Sequence, residues 1–437
     1  MQRPTPLDGL TLRDWQIDAF AAWVSHDCRG VVEAVTGAGK TRLAIAASRV
    51  CIHQGGRVLV LVPTLELQRQ WLREVRMHIP NVQVGRLGGG QTDDFDQVQI
   101  LIATPHSAAD LPLDPGPLGL LIADEAHRYG APTWANALKD RFHMRLALTA
   151  TYERNDDGVS TVLGPYFGPV IYSYTFADAA NDHVIAPFSV GLIRVPLTQA
   201  EQASYTAYSK KVREARKELI AHGFPKYPKD LIAKAAHVAG QAEGVPNSHA
   251  NREVVAARMF LAALSQRRAV AARCAAKLDV VKQVIREMGQ QIPRTLVFTD
   301  TVDQANDVVQ LMLKAGHTAW AIHGELREHD RRTRLAAFAN GTVPMVVAPR
   351  VLDEGIDVPD ASLAIVLAAF RTRRQMIQRL GRVLRLKSDQ SSARLLIAGA
   401  QDTREDPTQG AQREFLSHIT GVATRIDTLA LGDRLLD

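Results

Sequence analysis

The sequence predicts an α/β protein of two parallel-sheet lobes, with a helical, basic insertion between the first lobe and the body of the second. Three observations predict it. Short apolar runs of strand length recur without alternation, the pattern of strands buried on both faces. Helical stretches separate those runs, as parallel strands require. The series occurs twice, interrupted from about Leu197 to Lys277 by a stretch in which apolar strands vanish and Ala, Lys and Arg dominate.

The elements follow in chain order. Gly30 to Val35 is an apolar strand; a glycine loop comes after it, then a helix-like run around Leu43 to Ala47. Val58 to Val62 is a second strand and Gln68 to Met77 a helix. Ile100 to Ala103, Leu118 to Ala123 and Leu146 to Leu148 are further strands. The second series opens with an amphipathic stretch, Leu278 to Met288, whose Leu278, Val281, Val284 and Ile285 share one stripe. Thr295 to Phe298, a helix over Gln304 to Ala315, Ala319 to Ile322, Val343 to Val347, Leu363 to Leu367 and Ala393 to Ile397 continue it. A polar stretch, Gln401 to Gly410, then leads to a terminal helix pattern. The expected boundaries are 1–187 for the first lobe, 188–277 for the start of the second lobe with its insertion (about 197–277), and 278–437 for the remainder.

Composition narrows the class. In 437 residues, 46% are hydrophobic and 22% charged, which excludes wholesale disorder and fibrous architectures. No apolar run reaches the roughly 18–20 residues that a membrane span needs, and Met1 to Pro6 lacks the apolar core of a signal peptide. Cys28, Cys51 and Cys274 have no paired spacing, which argues against a disulfide framework or an all-cysteine zinc site. A soluble cytoplasmic protein is expected, with no membrane partner. The net charge of +6 is unevenly spread: Tyr205 to Lys277 holds 14 Lys and Arg against 5 Asp and Glu, so the rest of the chain is slightly acidic. A concentrated surplus of this kind suits a polyanionic partner.

The chemistry begins at Thr36-Gly37-Ala38-Gly39-Lys40-Thr41, between a strand and a helix. Backbone N–H groups of a glycine-rich turn can wrap phosphates, and the helix N-terminus adds its positive end. Lys40 would reach the terminal phosphates of ATP, and Thr41 would ligate Mg²⁺. The second signal is Asp124-Glu125-Ala126-His127, directly after the strand ending at Ala123. A carboxylate at the carboxyl end of a parallel strand faces the ligand crevice. Asp124 would hold Mg²⁺ and Glu125 would orient and deprotonate the attacking water.

These motifs and their order resemble superfamily 2 nucleic-acid helicases, whose two lobes are RecA-like. Leu12-Arg13-Asp14-Trp15-Gln16 is similar to the adenine-recognition segment, which implies nucleotide contacts for Arg13 and Gln16. The segment containing Pro63, Thr64 and Arg69 resembles motif Ia, and Thr104-Pro105-His106 the next strand-contacting loop. Leu148-Thr149-Ala150-Thr151 resembles motif III, implying that Thr149 and Thr151, with His127, couple hydrolysis to nucleic-acid contact. In the second lobe Thr299 and His323-Gly324 fall in nucleic-acid-contacting motifs, and Arg350 precedes a motif V carrying Gly355 and Asp357, implied nucleotide contacts. Gln378-Arg379-Leu380-Gly381-Arg382 resembles motif VI; Arg379 and Arg382 would neutralise transition-state charge, with Gln378 beside them. The resemblance covers about residues 10–385 and is strongest to the XPB/UvsW-type branch, with no room for the N-terminal damage-recognition domain of XPB. It implies an ATP- and Mg²⁺-dependent DNA helicase or translocase, moving 3′→5′ on single-stranded or forked DNA, in repair or recombination, with a nuclease or repair protein as a possible partner. Arg154-Asn155-Asp156 stands where XPB-type enzymes carry Arg-Glu-Asp.

In the insertion, Lys210, Lys211, Arg213, Arg216 and Lys217 recur at helical spacing and can hold phosphates, while Phe224 and Tyr227 at a proline-bounded turn can stack on bases. Three alternatives share these residues: a duplex translocase or branch-remodelling motor, an RNA helicase, and an ATP-gated nucleic-acid clamp with little turnover.

Overall fold

The computed structural model describes residues 7–154, 156–242, 244, 246, 251–349, 361–367, 392–409, 416–417 and 419–436. Arg350, Gly355, Asp357, Gln378, Arg379, Arg382 and Asn155 lie outside them. The described residues divide into two units at Pro187/Phe188.

The first unit holds strands β1 (Arg29–Ala34), β2 (Arg57–Leu61), β3 (Val84–Gly88), β4 (Gln91–Thr92), β5 (Ile100–Ala103), β6 (Gly119–Asp124), β7 (Met144–Thr149) and β8 (Val170–Tyr174). They form one sheet in the order β4-β3-β5-β2-β6-β7-β1-β8, parallel throughout except for the short β3–β4 hairpin. The central strands are apolar on both faces because helices cover both. Every residue from Val58 to Leu61 and from Ile100 to Ala103 is buried. Parallel strands place their carboxyl ends together, so the segments after β1, β6 and β7 emerge on one side. That side carries the glycine loop, the Asp-Glu-Ala-His box and Thr149.

The second unit holds β9 (Phe188–Val195), β10 (Thr295–Thr299), β11 (Ala319–Ala321), β12 (Met345–Pro349), β13 (Leu363–Val366), β14 (Ala393–Ala400) and β15 (Arg425–Ala430), all parallel, in the order β11-β12-β10-β13-β14-β9-β15. The terminal helix pattern is met only in part: Leu416, Ser417 and Ile419 are helical, whereas Arg425–Ala430 is an edge strand beside β9. Its alternating half-exposed residues pack on a sheet edge, and Asp427 pairs with Arg425 and with Arg394 of β14.

Between β9 and the helix Ala276–Met288 stand three helices, Gln199–Ala221, Pro228–Gln241 and Arg252–Ala272. Thr198 and Glu201 form a reciprocal capping box at the first. The three enclose their own core of Val212, Leu219, Phe224, Leu231, Phe260 and Leu264. No helix among the described residues is long and apolar enough to cross a membrane.

Candidate nucleotide site and nucleic-acid contacts

The glycine loop is built by backbone conformations that suit glycine. Gly37 and Gly39 lie at φ +87° and +98°, in the left-handed region, and Gly39 leads into the helix Lys40–His53. A Cβ at Gly39 would stand 2.9 Å from the Gln16 amide nitrogen. That closeness has a purpose in the packing. Gln16, itself buried, donates from Nε2 to the Gly39 carbonyl (2.9 Å) and accepts from the Arg13 N–H (2.9 Å), while the Arg13 guanidinium donates to the Ala38 carbonyl (2.8 Å). The segment carrying Arg13 and Gln16 therefore braces the loop directly.

Lys40 donates to the carbonyls of Ala34 (2.7 Å) and Val35 (3.3 Å). Burial lowers its pKa, opposed by the nearby Glu125 and Asp124 carboxylates. Among the described residues the Thr36 hydroxyl, also in the loop, is buried with no hydrogen-bond partner. A buried, unpaired hydroxyl, a left-handed glycine pair and an ammonium beside two carboxylates fit a nucleoside triphosphate with its divalent cation. Thr41 and Asp124 would hold that cation, which would neutralise phosphate charge.

Asp124 ends β6. Its Oδ1 accepts from the Glu125 N–H (3.0 Å) and its Oδ2 from the indole N–H of Trp71 (2.8 Å). Burial raises its pKa against the pull of those bonds and of Lys40. Glu125 sits at φ +51°, ψ +48°, a left-handed conformation that costs a non-glycine residue roughly 1–2 kcal/mol. Such local strain is retained where the surroundings fix it.

The surroundings here are one connected network. His127 is buried; its Nδ1 lies 3.0 Å from the Thr149 hydroxyl and 3.6 Å from Glu125 Oε2. The Thr149 hydroxyl donates its one proton to the Thr151 carbonyl (2.8 Å) and accepts from the Thr151 N–H (3.2 Å). It must therefore accept from His127, which assigns the proton to Nδ1. The Thr151 hydroxyl is buried without a partner among the described residues. Arg154 adds a second tie, donating to the His127 carbonyl (2.5 Å) while Nε and Nη2 grip Asp156 (2.6 and 2.5 Å). Arg154, held by Asp156, thus braces the box.

The loops that follow β2 and β5 also gather at one end of the first sheet. Thr64 caps the helix Leu65–His78, accepting from Leu67 N–H (3.3 Å), with Pro63 before it and the half-buried Arg69 within it. Thr104 follows β5, its hydroxyl 3.1 Å from Ser107 Oγ. A third component escaped sequence reading: Gly88-Gly89-Gly90, all at positive φ. A Cβ on Gly88 would meet Thr104 Oγ1 at 2.5 Å and one on Gly89 would meet Leu65 at 2.6 Å. Three consecutive glycines were the available signal.

In the second unit, Gly324 is exposed, with open space where a Cβ would stand, and His323 is largely covered, 3.8 Å from Glu325. Two expectations are corrected. Thr299 is fully buried and donates to the Thr301 carbonyl (3.0 Å), so its side chain serves the strand end and not a bound strand. Phe224 is buried in the three-helix core with Lys234 Nζ 4.4 Å from its ring centroid, because the turn folds back onto the helices. Tyr227 remains 76% exposed, and Lys210 and Lys211 lie on the exposed face of their helix.

Residues 9–154 match the family described as type III restriction enzyme, res subunit, and residues 276–387 match the helicase conserved C-terminal domain. Together with the two parallel sheets, these matches make the chain similar to helicases of superfamily 2. Among curated proteins the chain is similar to XPB-type translocases and helicases. It is 29% identical over 393 residues to the protein named DNA 3′-5′ translocase XPB2 of Sulfurisphaera tokodaii, covering 89% of this chain and 82% of that one. It is 28% identical over 431 residues to the protein named DNA 3′-5′ helicase XPB of Kineococcus radiotolerans, covering 96% of this chain and 65% of that one. The chain thus spans a little under two thirds of the latter's length. The solved Hef helicase domain of Pyrococcus furiosus shares the fold, with a TM-score of 0.59 at 21% identity, over 92% of this chain and 98% of that one.

Proposed function

We propose that the protein is an ATP- and Mg²⁺-dependent DNA motor that moves 3′→5′ and separates strands, acting on single-stranded or forked DNA in repair or recombination. The observation that carries this reading is the unbroken network joining Asp124 and Glu125, through His127, to Thr149 and Thr151. Lys40 and the loop N–H groups bind phosphate, and Glu125 takes the proton of the attacking water. His127 passes any shift of Glu125 to the Thr149 turn. Gln378, Arg379, Arg382, Gly355 and Asp357 contribute nucleotide contacts in this reading, and Arg350 and the exposed Lys210, Lys211 and Tyr227 hold the nucleic acid.

ATPase turnover is measured with no nucleic acid, single-stranded DNA, duplex DNA, forked DNA and RNA, with Glu125→Gln as control. The expected result is strong stimulation by DNA that Glu125→Gln abolishes. RNA-selective stimulation, or binding without turnover on any substrate, refutes it.

A second reading, translocation along duplex DNA without strand separation, is favoured by one observation. Arg154 and Asp156 are engaged with each other and with the His127 carbonyl, which leaves that element bracing the box. The Sulfurisphaera tokodaii relative is named a translocase. Triplex displacement without displacement of an annealed strand would select this reading.

A further inference from the structure

The helix Leu65–His78 buries three residues at one stripe, Gln68, Trp71 and Val75, and two of them carry side-chain N–H donors. Gln68 donates both amide hydrogens, one to the Leu87 carbonyl of β3 (3.0 Å) and one to the Ile102 carbonyl of β5 (2.9 Å). A side chain fixed to two strands at once prevents the helix from turning about its axis. One turn further along, Trp71 is 1% exposed and its indole N–H holds Asp124 Oδ2 at 2.8 Å. The other end of the same helix begins at Thr64 and touches the Gly88–Gly90 turn through Leu65. Seven residues separate Thr64 from Trp71, about 10 Å of helix rise.

We propose that Trp71 is a positioning residue for Asp124 and that this helix is the lever by which nucleic acid, bound at the Thr64 and Gly88–Gly90 turns, sets the orientation of that carboxylate. The proposal rests on the reading of the protein as a DNA-stimulated ATPase. An indole has one donor, fixed in its ring plane, with no rotor to absorb a shift of the helix. Asp124 has its other oxygen anchored on the Glu125 N–H, so displacement of the indole rotates the carboxylate about that anchor. Displacement of the Thr64 end is transmitted because Gln68 constrains the helix to move as a body.

The test uses the whole chain, labelled with ¹⁵N in its indole groups and free of nucleotide and metal. The Trp71 resonance is identified by its loss in Trp71→Phe. It is expected to move in Asp124→Asn, which exchanges a charged acceptor for a weaker neutral one, and to move again when single-stranded oligodeoxythymidylate is added. In turnover, Trp71→Phe is expected to raise the half-activating Mg²⁺ concentration about tenfold, the scale of one hydrogen bond to a charged group, and to reduce the factor by which DNA stimulates. Where Trp71→Phe folds poorly, the resonance is identified by elimination, as the one of the five indole signals not lost in Trp15→Phe, Trp23→Phe, Trp134→Phe or Trp320→Phe, and Asp124→Asn, which leaves the helix intact, then reports on it. A Trp71 resonance indifferent to Asp124→Asn, or to the oligonucleotide, overturns the proposal. Absence of DNA-stimulated turnover in the unaltered chain refutes the motor reading by itself, and the nucleotide-free resonance separates the two failures.

Discussion

Lys277 is the most demanding charge in the second unit. It is fully buried, and its ammonium donates to the Leu367 carbonyl just past β13 (2.7 Å) and to Glu405 Oε2 (2.6 Å). Glu405 is 13% exposed, and its other oxygen is buried without a partner among the described residues. Replacing Lys277 by Met keeps most of the volume and removes the charge. The carboxylate is then left in apolar surroundings, and the Leu367 carbonyl loses its donor. Breaking a buried pair in this way costs about 3–5 kcal/mol, whereas replacing both partners by apolar groups is often near neutral. Lys277→Met is therefore expected to destabilise by about 3–5 kcal/mol, and Lys277→Met with Glu405→Leu to recover at least half of that. Because the chain has two units, urea-dependent hydrogen exchange of peptides spanning 363–367 and 393–400 is the suitable assay, since it reads this unit alone. A loss below about 1 kcal/mol for the single variant, or additive losses in the double variant, would falsify the assignment of an energetically coupled buried pair.

Asp406, next to Glu405, and Gly39 of the first unit give two further outcomes. Asp406 is fully buried and accepts from Arg194, the Asp402 N–H and both donors of Thr408; burial pushes its pKa up, but these bonds outweigh it and hold the pKa at about 2. A depressed carboxyl stabilises above its ordinary pKa near 4 and loses that contribution as pH falls through 2, so Asp406→Asn should cost about 2 kcal/mol at pH 7 and progressively less below pH 4 in urea titrations; a pH-independent deficit would count against the assignment. Gly39→Ala forces a left-handed residue to place its Cβ 2.9 Å from the Gln16 amide, and should weaken ATP binding about tenfold in a fluorescent-nucleotide titration, with unchanged affinity refuting the bracing role.

What was legible in the sequence was what is local. Val58–Leu61 of β2 and the whole of β5 announce themselves because strand residues buried on both faces are apolar. The glycine loop and the Asp-Glu-Ala-His box are contiguous, so spacing alone revealed them. β15 was not legible because its partly exposed residues, Arg425–Ala430, lack the continuous apolar run that marks a strand buried on both faces. Phe224 misled because an aromatic residue in a proline-bounded turn reads as exposed until the three helices close over it. Trp71 and Asp124 are 53 positions apart and Lys277 and Glu405 are 128 apart. No period or motif links such pairs; only the crossovers between parallel strands bring them together.

The three-helix insertion has one more consequence. Its core of Val212, Leu219, Phe224, Leu231, Phe260 and Leu264 is separate from the sheet core, which it meets through Tyr205 near its root. Substitutions inside it need only satisfy one another, and exposed ones such as those at Lys210, Lys211 and Tyr227 need satisfy nothing in the sheet at all. Selection can therefore rewrite the insertion while the engine beneath it is held constant, so lineages that share the motor are free to diverge in the appendage. Swapping residues 199–272 for the equivalent segment of a relative would be inheritance in miniature: a change of tool on an unchanged drive shaft.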